Sequence, residues 1–521
     1  MKRERPSGSS LACVLVVALL LLELCLTAGA LSRTDTGQRI NEFHALEQVV
    51  LSSGLFNSSW YTATYPDVAS TSMSSIQHFL SIGGPQQRDP GPNFSSLFYA
   101  ETHPQMNKDG EAIPLVHFLQ GRPQQVAYDG GLVLKAAAKL AEIGAYEQAV
   151  TLAEKHLPKK LKHTIHLLKA NQAQAQGKEK IWLRHLNKYL AHFGNAPVQL
   201  DRSGGSLYMR LSSDPLPRVA TGPLVTVIMP TSNAEKSIEL AAQSILNQTW
   251  QSLELIVVDD ASEDRTHEIL KGIASRDSRV RLLRNKVPTG PYVAKNSALI
   301  VAKGDYITGH DADDWAHPQR LERQMAHMLT DPRNNNASIM FMVRLTKDGR
   351  MAFMQKAKWI NTISLVRYFF DGSARLSFVS AMFNRKFFND QLGFYDSVRY
   401  AADSDMLFRA NLATGGKVEV LPFVSMLCLD SPKSLTGGIT SNAGRSTVLT
   451  PVRVAYSGNY TLWWRSALQR NQSIKVEFPA IRRPFPAPDE ILVSQRDVCS
   501  NLANMPRKLV STKTLDICRH N

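Results

Sequence analysis

The chain has 521 residues, of which 43% are hydrophobic and 20% are charged, and it carries a formal net charge of +15. This composition is typical of a globular protein and excludes a disordered or fibrous chain, and a length of roughly 150 residues per domain predicts two to four domains. The positive charge favours anionic ligands such as nucleotides, acidic glycans or lipid headgroups. Since we find no basic-aromatic module, zinc spacing or basic helix, we predict no nucleic-acid partner.

The N-terminal segment combines a basic start with an apolar run. Basic residues at positions 2–5 precede the apolar stretch 11–22, and the small residues at 28–30 fit a cleavage site, which predicts a signal peptide. An uncleaved membrane anchor is the alternative, although Glu23 shortens the apolar stretch. With the positive charge on its N-terminal side, either form sends the rest of the chain across the membrane. We therefore predict that residues 1–31 are a signal peptide or a signal anchor.

An internal repeat follows between residues 32 and 130. The stretch Phe56-Asn57-Ser58-Ser59-Trp60-Tyr61 with Pro66 recurs 38 residues later as Phe94-Ser95-Ser96-Leu97-Phe98-Tyr99 with Pro104. A unit with an aromatic pair, a turn and an amphipathic helix buries its apolar face by packing on a neighbouring unit. We predict two short aromatic and helical repeats that form a packing core, with a binding surface as the alternative. The pattern resembles short aromatic repeats found beside bacterial-type glycosyltransferase domains.

Two further segments precede the central part of the chain. In residues 131–200 apolar residues recur at spacings of three and four, which predicts amphipathic helices. The Gly-Ala-Tyr turn at 144–146 resembles that of a tetratricopeptide-like helical hairpin. Residues 201–222 are rich in Gly, Ser, Pro and Asp, and this composition predicts a linker.

The cysteines and glycosylation sequences bear on the compartment. Outside the N-terminal segment the chain has Cys428, Cys499 and Cys518, of which the last two could close a C-terminal loop in an oxidising lumen, although sequence does not decide the pairing. The sequence Asn-x-Ser/Thr mildly supports a secretory glycoprotein, and it occurs at Asn57, Asn93, Asn247, Asn336, Asn459 and Asn471. Residues 431–521 form a C-terminal extension to which we assign no function.

From residue 223 to residue 430, strand-like runs alternate with helical segments. The runs at 225–230, 253–260, 280–283 and 306–310 are apolar, and helical patterns separate them. Such alternation predicts a parallel sheet that helices cover on both faces, and ligands of such sheets bind beyond the carboxyl ends of the strands. The polar residues at those ends are Thr231, Asp259, Asp260, Asp311 and Asp313.

An acidic cluster follows the fourth apolar run. Asp311, Asp313 and Asp314 lie within four residues of one another, and their like charges repel. Water relieves this repulsion in a plain surface turn. A divalent cation, which takes oxygen ligands and often binds substrate phosphates as well, is the alternative.

Residues 223 to about 425 resemble a family 2 glycosyltransferase with the GT-A fold. The resemblance implies an α/β fold, with a GT-A-type, parallel-rich nucleotide-binding sheet flanked by helices, and here an α-helical N-terminal region precedes it. The segments that carry it occur in the family's order: Val-Thr-Val-Ile-Met-Pro-Thr at 225–231, Leu-Ile-Val-Val-Asp-Asp-Ala-Ser at 255–262, Ala-Lys-Asn at 294–296, His-Asp-Ala-Asp-Asp-Trp at 310–315, Gly-Phe-Tyr-Asp at 393–396 and Ala-Asp-Ser-Asp-Met-Leu-Phe-Arg at 402–409.

The resemblance implies a role for each polar residue at the strand ends. Thr231 and either Asp259 or Asp260 would hold the nucleotide base and ribose, since carboxylates accept hydrogen bonds from base N–H and sugar hydroxyl groups. Asp311 would lie on the ribose side. Asp313 would bind Mn²⁺ or Mg²⁺, which bridges the diphosphate and neutralises it as a Lewis acid. Lys295 would contact phosphate, with an exposed helix residue as the alternative.

The resemblance also implies a catalytic base. Asp403 matches the aspartate that takes the proton from the acceptor hydroxyl, with inversion at the anomeric carbon. Ala402 stands where the family usually has glutamate, which leaves Asp405 as a competing base. A helix-capping carboxylate is the structural alternative for Asp403.

Together these features predict a metal-dependent hexosyl- or N-acetylhexosaminyl-transferase. Its donor would be a UDP- or GDP-sugar, and its acceptor a glycan or glycoconjugate. A translocated transferase needs nucleotide sugar across the membrane, so we predict the lumen of the Golgi or endoplasmic reticulum, as a single-pass type II membrane protein or a secreted one. The alternative function is a non-catalytic binding or scaffold protein that retains the fold.

Overall fold

A computed structural model describes most of the chain. The described residues are 35–91, 94–96, 99–100, 113–120, 130–202, 204–353, 374–431, 451–479, 483–505, 510 and 518. The predictions for residues 1–31 lie outside them. The chain divides into two compact units, Met1–Lys159 and Lys160–Asn521, and each is described by itself.

The first unit is helical. Asn57 caps the second helix, since its side-chain oxygen accepts a hydrogen bond from the Trp60 N–H, and Ser74 and Gln77 form a capping box on the third. An apolar core forms around Phe56, Tyr61 and other buried side chains of this segment. The described α-helices are α1 (Asp35–Ser52), α2 (Ser58–Thr64), α3 (Ser75–His78), α4 (Pro114–Leu119), α5 (Gly130–Glu142) and α6 (Tyr146–His156), with a 3₁₀ turn at Pro66–Ser70 and a π turn at Phe79–Gly83.

Two tyrosine–histidine pairs in this unit have matching geometry. The Tyr61 hydroxyl lies 3.1 Å from His78 Nδ1, and the Tyr99 hydroxyl lies 2.7 Å from His117 Nδ1. Each tyrosine ring also meets a phenylalanine edge-on, with centroids 5.7 and 5.8 Å apart, and both ring pairs are inclined at 85°. Leu97, Phe98 and Pro104 lie outside the described residues, so the repeat itself stays a prediction, as does the tetratricopeptide likeness of α5 and α6.

The second unit begins with a helical hairpin that packs on its sheet. Trp182 donates a hydrogen bond from Nε1 to the Gly349 carbonyl oxygen at 2.7 Å. Asn171 donates to the Met351 carbonyl oxygen at 3.0 Å and accepts from the Met351 N–H at 2.6 Å. The elements of this hairpin and of the following stretch are α7 (Ile165–Ala175), α8 (Glu179–His192), β1 (Gln199–Leu200), a 3₁₀ turn (Tyr208–Arg210) and β2 (Leu211–Ser212), preceded by a 3₁₀ turn at Lys159–Thr164.

The stretch predicted as a linker, 201–222, is built into this unit rather than being a free connection. Tyr208 is fully buried, and its hydroxyl lies 2.9 Å from the carbonyl oxygens of Asp313 and Leu427. The Gly, Ser, Pro and Asp content gave no sign of this contact, because the few apolar side chains that hold the segment, Leu207, Tyr208 and Leu211, are isolated in the sequence.

Nine strands of the described residues form one mixed sheet. Their order is β5-β4-β3-β6-β10-β8-β11-β7, with β9 also pairing with β8. The neighbours β5, β4, β3 and β6 are parallel, as predicted, whereas β10 runs antiparallel to β6 and to β8. The strands are β3 (Val225–Thr231), β4 (Leu253–Asp259), β5 (Val280–Arg284), β6 (Tyr306–Gly309), β7 (Trp315–Ala316), β8 (Ala337–Leu345), β9 (Ala374–Leu376), β10 (Met382–Asn384) and β11 (Glu419–Leu429).

Helices cover both faces of the sheet because its central strands are apolar on both. Along β3, Ile228 packs into one core and its neighbours Val227 and Met229 into another, as expected from the alternation of side chains. The predicted α/β fold, with a GT-A-type parallel-rich sheet after a helical N-terminal region, is confirmed. The helices between the strands are α9 (Ile238–Leu246), α10 (Thr266–Arg276), α11 (Pro291–Val301), α12 (Arg320–Met328), α13 (Arg385–Phe387) and α14 (Ala402–Ala413), with a 3₁₀ turn at Phe378–Ser380 and a π turn at Phe388–Leu392.

The C-terminal extension packs on the second half of this unit. Arg483 binds the Asp396 carboxylate in a bidentate manner, at 2.8 and 2.6 Å. Cys499 and Cys518 form a disulfide, and Cys428 is free and buried. The extension contributes α15 (Pro451–Gln469), α16 (Gln495–Ala503) and a 3₁₀ turn at Asp489–Ile491.

Candidate active site at the carboxyl ends of the strands

Two buried polar groups stand side by side where β3 and β4 end. Thr231 and Asp259 are register partners at the last positions of these parallel strands. Both are buried, yet Thr231 Oγ1 and Asp259 Oδ2 have no hydrogen-bond partner. Since a buried polar atom without a partner is costly, this pair fits a ligand that supplies N–H or hydroxyl groups.

Basic groups surround the Asp259 carboxylate. Its Oδ1 accepts a hydrogen bond from the Ser262 N–H at 2.9 Å. His267 Nδ1 lies 2.9 Å from Oδ2 but without hydrogen-bond geometry, and Arg284 Nε lies 3.4 Å away. Ser262, His267 and Arg284 also line an open cleft of about 740 Å³, together with Lys271. That volume lies in the range of small-molecule sites, roughly 300–1,000 Å³.

Asp260 has a different environment from Asp259. Its carboxylate accepts hydrogen bonds from Asn285 Nδ2 at 2.6 Å, from the Thr289 N–H at 3.0 Å and from the Gly290 N–H at 2.6 Å. These bonds hold the loop between β5 and α11, while a nucleotide contact of Asp260 stays a prediction. Of the two alternatives, Asp259 is the one with an oxygen that makes no hydrogen bond.

The same loop is held from the C-terminal extension, which sequence reasoning did not foresee. Asn501 in α16 accepts hydrogen bonds from the N–H groups of Lys286 and Val287, at 2.8 and 3.0 Å. No local signal marks this asparagine, because its partners lie more than 200 residues away in the chain.

The acidic cluster follows β6, and its three carboxylates differ in burial. Asp311 is partly exposed, and Asp313 is partly buried. Burial and then the neighbouring Asp311 charge raise the pKa of Asp313 to about 6. Asp314 is buried and accepts a hydrogen bond from the Leu429 N–H at 3.1 Å, which ties the cluster to the end of β11.

Asp311 and Asp313 fit a divalent cation whose remaining coordination positions are filled by a substrate. The described residues contain no three His, Cys, Asp or Glu side chains arranged to hold a metal ion by themselves. Mg²⁺ commonly binds through one or two carboxylates, with substrate phosphates and waters filling the other positions. The raised pKa of Asp313 shows that a neighbouring positive charge would favour its ionised form.

Lys295 is buried and directed toward Asp311 rather than exposed on its helix. Its Nζ lies 4.0 Å from Asp311 Oδ1. The same ammonium lies 5.2 Å from the Tyr292 ring centroid and 5.7 Å from that of Tyr395. Two aromatic rings thus stabilise the Lys295 ammonium next to Asp311. A buried cation in this position could contact an anionic ligand.

Asp403 lies in the first turn of α14 with one oxygen free. Its Oδ1 accepts hydrogen bonds from the Tyr292 hydroxyl and from the Ser404 N–H, each at 2.9 Å. Its Oδ2 accepts none from the described residues. Ala402, which stands where the family has glutamate, is fully buried in the apolar core.

Asp405, the competing base, is enclosed. It is fully buried, Oδ2 accepts from Arg409 Nε at 3.0 Å, and Oδ1 accepts from Trp464 Nε1 at 2.6 Å. Both oxygens are engaged and neither reaches solvent, so these contacts attach α15 to α14. Asp405 as a base stays a prediction.

Two alanines next to the site have left-handed backbone angles. Ala261, after Asp260, has a φ of 58°, and Ala401, before α14, has a φ of 64°. Such angles are uncommon outside glycine, asparagine and aspartate, and they are often found at functional sites. Sequence reasoning could not detect them, since alanine gives no local signal for this conformation.

Comparisons with known proteins concern the family of one segment of the second unit. Residues 226–392 match the family model described as glycosyl transferase family 2. The resemblance of this segment to that family is thereby confirmed, whereas the N-terminal repeats find no such support.

Curated relatives of the chain are also glycosyltransferases, and each is similar to it over a limited length. An uncharacterized glycosyltransferase of Haemophilus influenzae is 43% identical over 107 residues, which are 20% of this chain and 43% of that protein. A UDP-Glc:alpha-D-GlcNAc-diphosphoundecaprenol beta-1,3-glucosyltransferase of Escherichia coli is 41% identical over 118 residues, which are 23% of this chain and 44% of that protein. The chain thus spans about two-fifths of the length of these relatives.

A solved structure is also similar in part. The crystal structure of S. aureus TarS 1–349 in complex with UDP-GlcNAc shares 20% identity at a TM-score of 0.33, over 40% of this chain and 59% of that one.

The predicted location is wrong. The relatives are proteins of bacteria such as Haemophilus influenzae and Escherichia coli, which have no Golgi or endoplasmic reticulum. The prediction of a Golgi or endoplasmic-reticulum protein, type II anchored or secreted, is therefore withdrawn. Within the part of the chain that the structure describes, no helix is long and apolar enough to cross a bilayer.

Proposed function

We propose that this protein transfers a sugar from a nucleotide-sugar donor to an acceptor hydroxyl, with a divalent metal and with inversion at the anomeric carbon. The observation that carries the proposal is the pair of buried atoms without a hydrogen bond, Thr231 Oγ1 and Asp259 Oδ2, at the same sheet edge as Asp311 and Asp313. The family 2 match of residues 226–392 supports it.

The donor is a UDP- or GDP-sugar whose base and ribose bind at β3 and β4. Base N–H and ribose hydroxyl groups would satisfy Asp259 Oδ2 and Thr231 Oγ1, neither of which makes a hydrogen bond in the protein. The name of the Escherichia coli relative includes a UDP-sugar donor and a diphosphate-linked glycan acceptor. These are the classes of donor and acceptor that we propose, the acceptor being a glycan or glycoconjugate.

Asp311 and Asp313 would hold Mn²⁺ or Mg²⁺ against the diphosphate. When bound, the metal acts as a Lewis acid that neutralises charge on the leaving diphosphate. Lys295 lies 4.0 Å from Asp311 and would contact phosphate oxygens as a point charge. The buried setting of Lys295 strengthens this contact, because a low local dielectric reduces screening.

Asp403 is the catalytic base of the proposal. Its free Oδ2 takes the proton from the acceptor hydroxyl while the acceptor oxygen bonds to the anomeric carbon. The bond from that carbon to the diphosphate oxygen breaks, and its electron pair leaves with the diphosphate. Tyr292 holds Oδ1 during this step and thereby directs Oδ2 toward the acceptor.

A panel of donors tests the proposal. The purified full-length protein is incubated with UDP-glucose, UDP-N-acetylglucosamine and GDP-mannose, with Mn²⁺ or with EDTA, and released UDP or GDP is measured. We expect release from one donor, dependent on Mn²⁺ and reduced in Asp403→Asn. Binding of nucleotide without any release or transfer would instead favour the non-catalytic scaffold, and absence of nucleotide binding would reject both.

A further inference from the structure

Two arginines lie on one face of the sheet beside the acidic cluster. Arg375 in β9 is the register partner of Met342 in β8, and Met342 lies two residues before Arg344. Register partners and residues two apart on a strand share a face, so both arginine side chains extend from the same face of the sheet. Cys428 in β11 is the register partner of Arg344, and the next residue, Leu429, donates to Asp314. The face that carries the arginines therefore adjoins the Asp313–Asp314 turn.

Neither guanidinium has its hydrogen bonds satisfied. Nε and Nη1 of Arg344, and Nε and Nη2 of Arg375, are buried atoms without a hydrogen-bond partner. The Asp430 carboxylate lies 3.7 Å from Arg344 Nη1, which is an ion pair but too long for a hydrogen bond. Four buried donors in two neighbouring side chains thus have no acceptor in the protein.

The two guanidinium charges are compensated unequally. Burial lowers the pKa of Arg344, but the charges of Cys428, Asp314, Asp430 and Asp313 outweigh it, and the net effect raises that pKa. Burial, and then the charge of Arg344, lower the pKa of Arg375 to about 9. Buried donor atoms without an acceptor are costly to the fold. An anion that bridges the two guanidinium groups would supply acceptors to these four atoms.

We propose that Arg344 and Arg375 form a binding site for an oxyanion, a phosphate or carboxylate group of the substrate. The planar guanidinium presents paired N–H donors that match the two oxygens of such a group. Arginine is therefore better suited to bind an oxyanion than to bind a neutral hydroxyl group. The proposal deepens the proposed function by naming the charge of the substrate, and it rests on that function for its catalytic meaning.

The sheet order indicates which part of the substrate reaches this site. Thr231 and Asp259 end β3 and β4, and Asp311 and Asp313 follow β6. The arginines lie on β8 and β9, and β6 and β10 separate β8 from β3. A donor with its base at β3 and β4 and its diphosphate at the acidic cluster directs its sugar away from the base. The oxyanion site then lies on the side where an acceptor enters, although the donor diphosphate is the second source of the same chemistry.

Thermal unfolding of the full-length protein with inorganic phosphate tests the site without any nucleotide. Because a ligand that binds the folded state raises Tm, we expect phosphate to raise it by about 2 °C or more over chloride at equal ionic strength. Arg375→Gln should abolish that rise. Its Tm without phosphate should equal or exceed that of the parent, because an unpaired buried cation is removed.

A matched control separates this effect from a change of net charge. Arg350→Gln removes an exposed guanidinium from the turn after β8 and should retain the phosphate response. If Arg375→Gln does not fold, Arg375→Lys replaces it. The lysine retains the charge but lacks the fork of paired donors, and it should weaken phosphate binding by about tenfold.

Saturation with UDP and Mn²⁺ distinguishes the two sources. If phosphate still raises Tm in the presence of UDP and Mn²⁺, and Arg375→Gln binds UDP as tightly as the parent, the site belongs to the acceptor. If phosphate no longer raises Tm, and Arg375→Gln binds UDP about tenfold more weakly, the site belongs to the donor diphosphate. No response in the parent, or a response that Arg375→Gln leaves intact while its Tm falls, overturns the site. Phosphate binding without nucleotide binding would instead reject the proposed function alone.

Discussion

The phenol hydroxyl of Tyr292 donates a hydrogen bond to Oδ1 of Asp403 across 2.9 Å. It joins α11, which begins at the parallel half of the sheet, to the first turn of α14, more than 100 residues later in the chain. The bond fixes the carboxylate of the proposed base from one side and leaves its second oxygen available.

Loss of the Tyr292 hydroxyl should slow transfer without weakening donor binding. A hydrogen bond to a charged group contributes about 1.5–3 kcal/mol, so Tyr292→Phe should lower kcat by roughly ten- to a hundredfold. The KM for the donor should stay within about threefold, because the hydroxyl contacts no nucleotide-binding residue. Tyr395→Phe is the control, since Tyr395 lies against the same ring but its hydroxyl makes no hydrogen bond with the described residues. Equal losses in both variants would contradict a positioning role.

Asp403→Asn should retain the shape of the side chain but remove its ability to accept a proton. General-base catalysis contributes about 10²–10⁴-fold, and we expect transfer to fall by that factor. Calorimetric titration should show nearly unchanged nucleotide affinity, because the proposed nucleotide contacts lie on other elements. A variant with parental activity would show that another group is the base.

Asp405→Asn should affect stability first. Asp405 and Arg409 are both fully buried, and removing one partner of a buried ion pair costs about 3–5 kcal/mol. Urea unfolding should therefore show a large loss for Asp405→Asn. The surface pair between Lys386 and Asp390 is the control, and Asp390→Asn should cost less than about 1 kcal/mol. A stable Asp405→Asn variant that has lost transfer would restore Asp405 as the base.

Asp313→Ala should abolish nucleotide binding that depends on a divalent cation, because it removes an oxygen ligand. Titration with UDP or GDP in the presence and absence of Mn²⁺ measures this directly. Asp331→Ala, which removes an exposed carboxylate from another turn, should have no effect. Undiminished Mn²⁺-dependent affinity in Asp313→Ala would reject the assignment.

The second unit should lose stability as the pH falls below neutrality. Burial is the main cause that lowers the pKa of His317 to about 4, and its Nε2 lies 3.0 Å from the Ala196 carbonyl oxygen. In the unfolded chain the pKa is about 6.5, so between these values the unfolded state binds the extra proton and stability decreases with falling pH. The full difference corresponds to about 3 kcal/mol.

Urea unfolding between pH 7.5 and pH 4.5 checks this prediction. His317→Gln has no titrating group and should show a shallower decrease in the free energy of unfolding. Parallel curves for the parent and the variant would contradict it.

Much of the fold and part of the site follow from the sequence alone. The apolar runs that became β3, β4, β5 and β6, and the helices between them, lie within a few residues of their predicted positions. They were predictable because both faces of a covered parallel sheet are apolar, which gives continuous hydrophobic runs. The polar residues at the ends of these runs identify the candidate site for the same reason, since parallel strands end at one edge.

The sequence alone determined the order of the elements and the candidate polar residues, whereas only the tertiary structure decided which of them are free to act. Asp259 and Asp260 are adjacent in sequence, yet one has an oxygen that makes no hydrogen bond and the other anchors a loop. Asp403 and Asp405 are two residues apart, yet Tyr292 leaves one oxygen of Asp403 free while Arg409 and Trp464 engage both oxygens of Asp405. The physical reason is that a carboxylate's availability depends on the donors that long-range packing brings to it, and those donors lie far away along the chain.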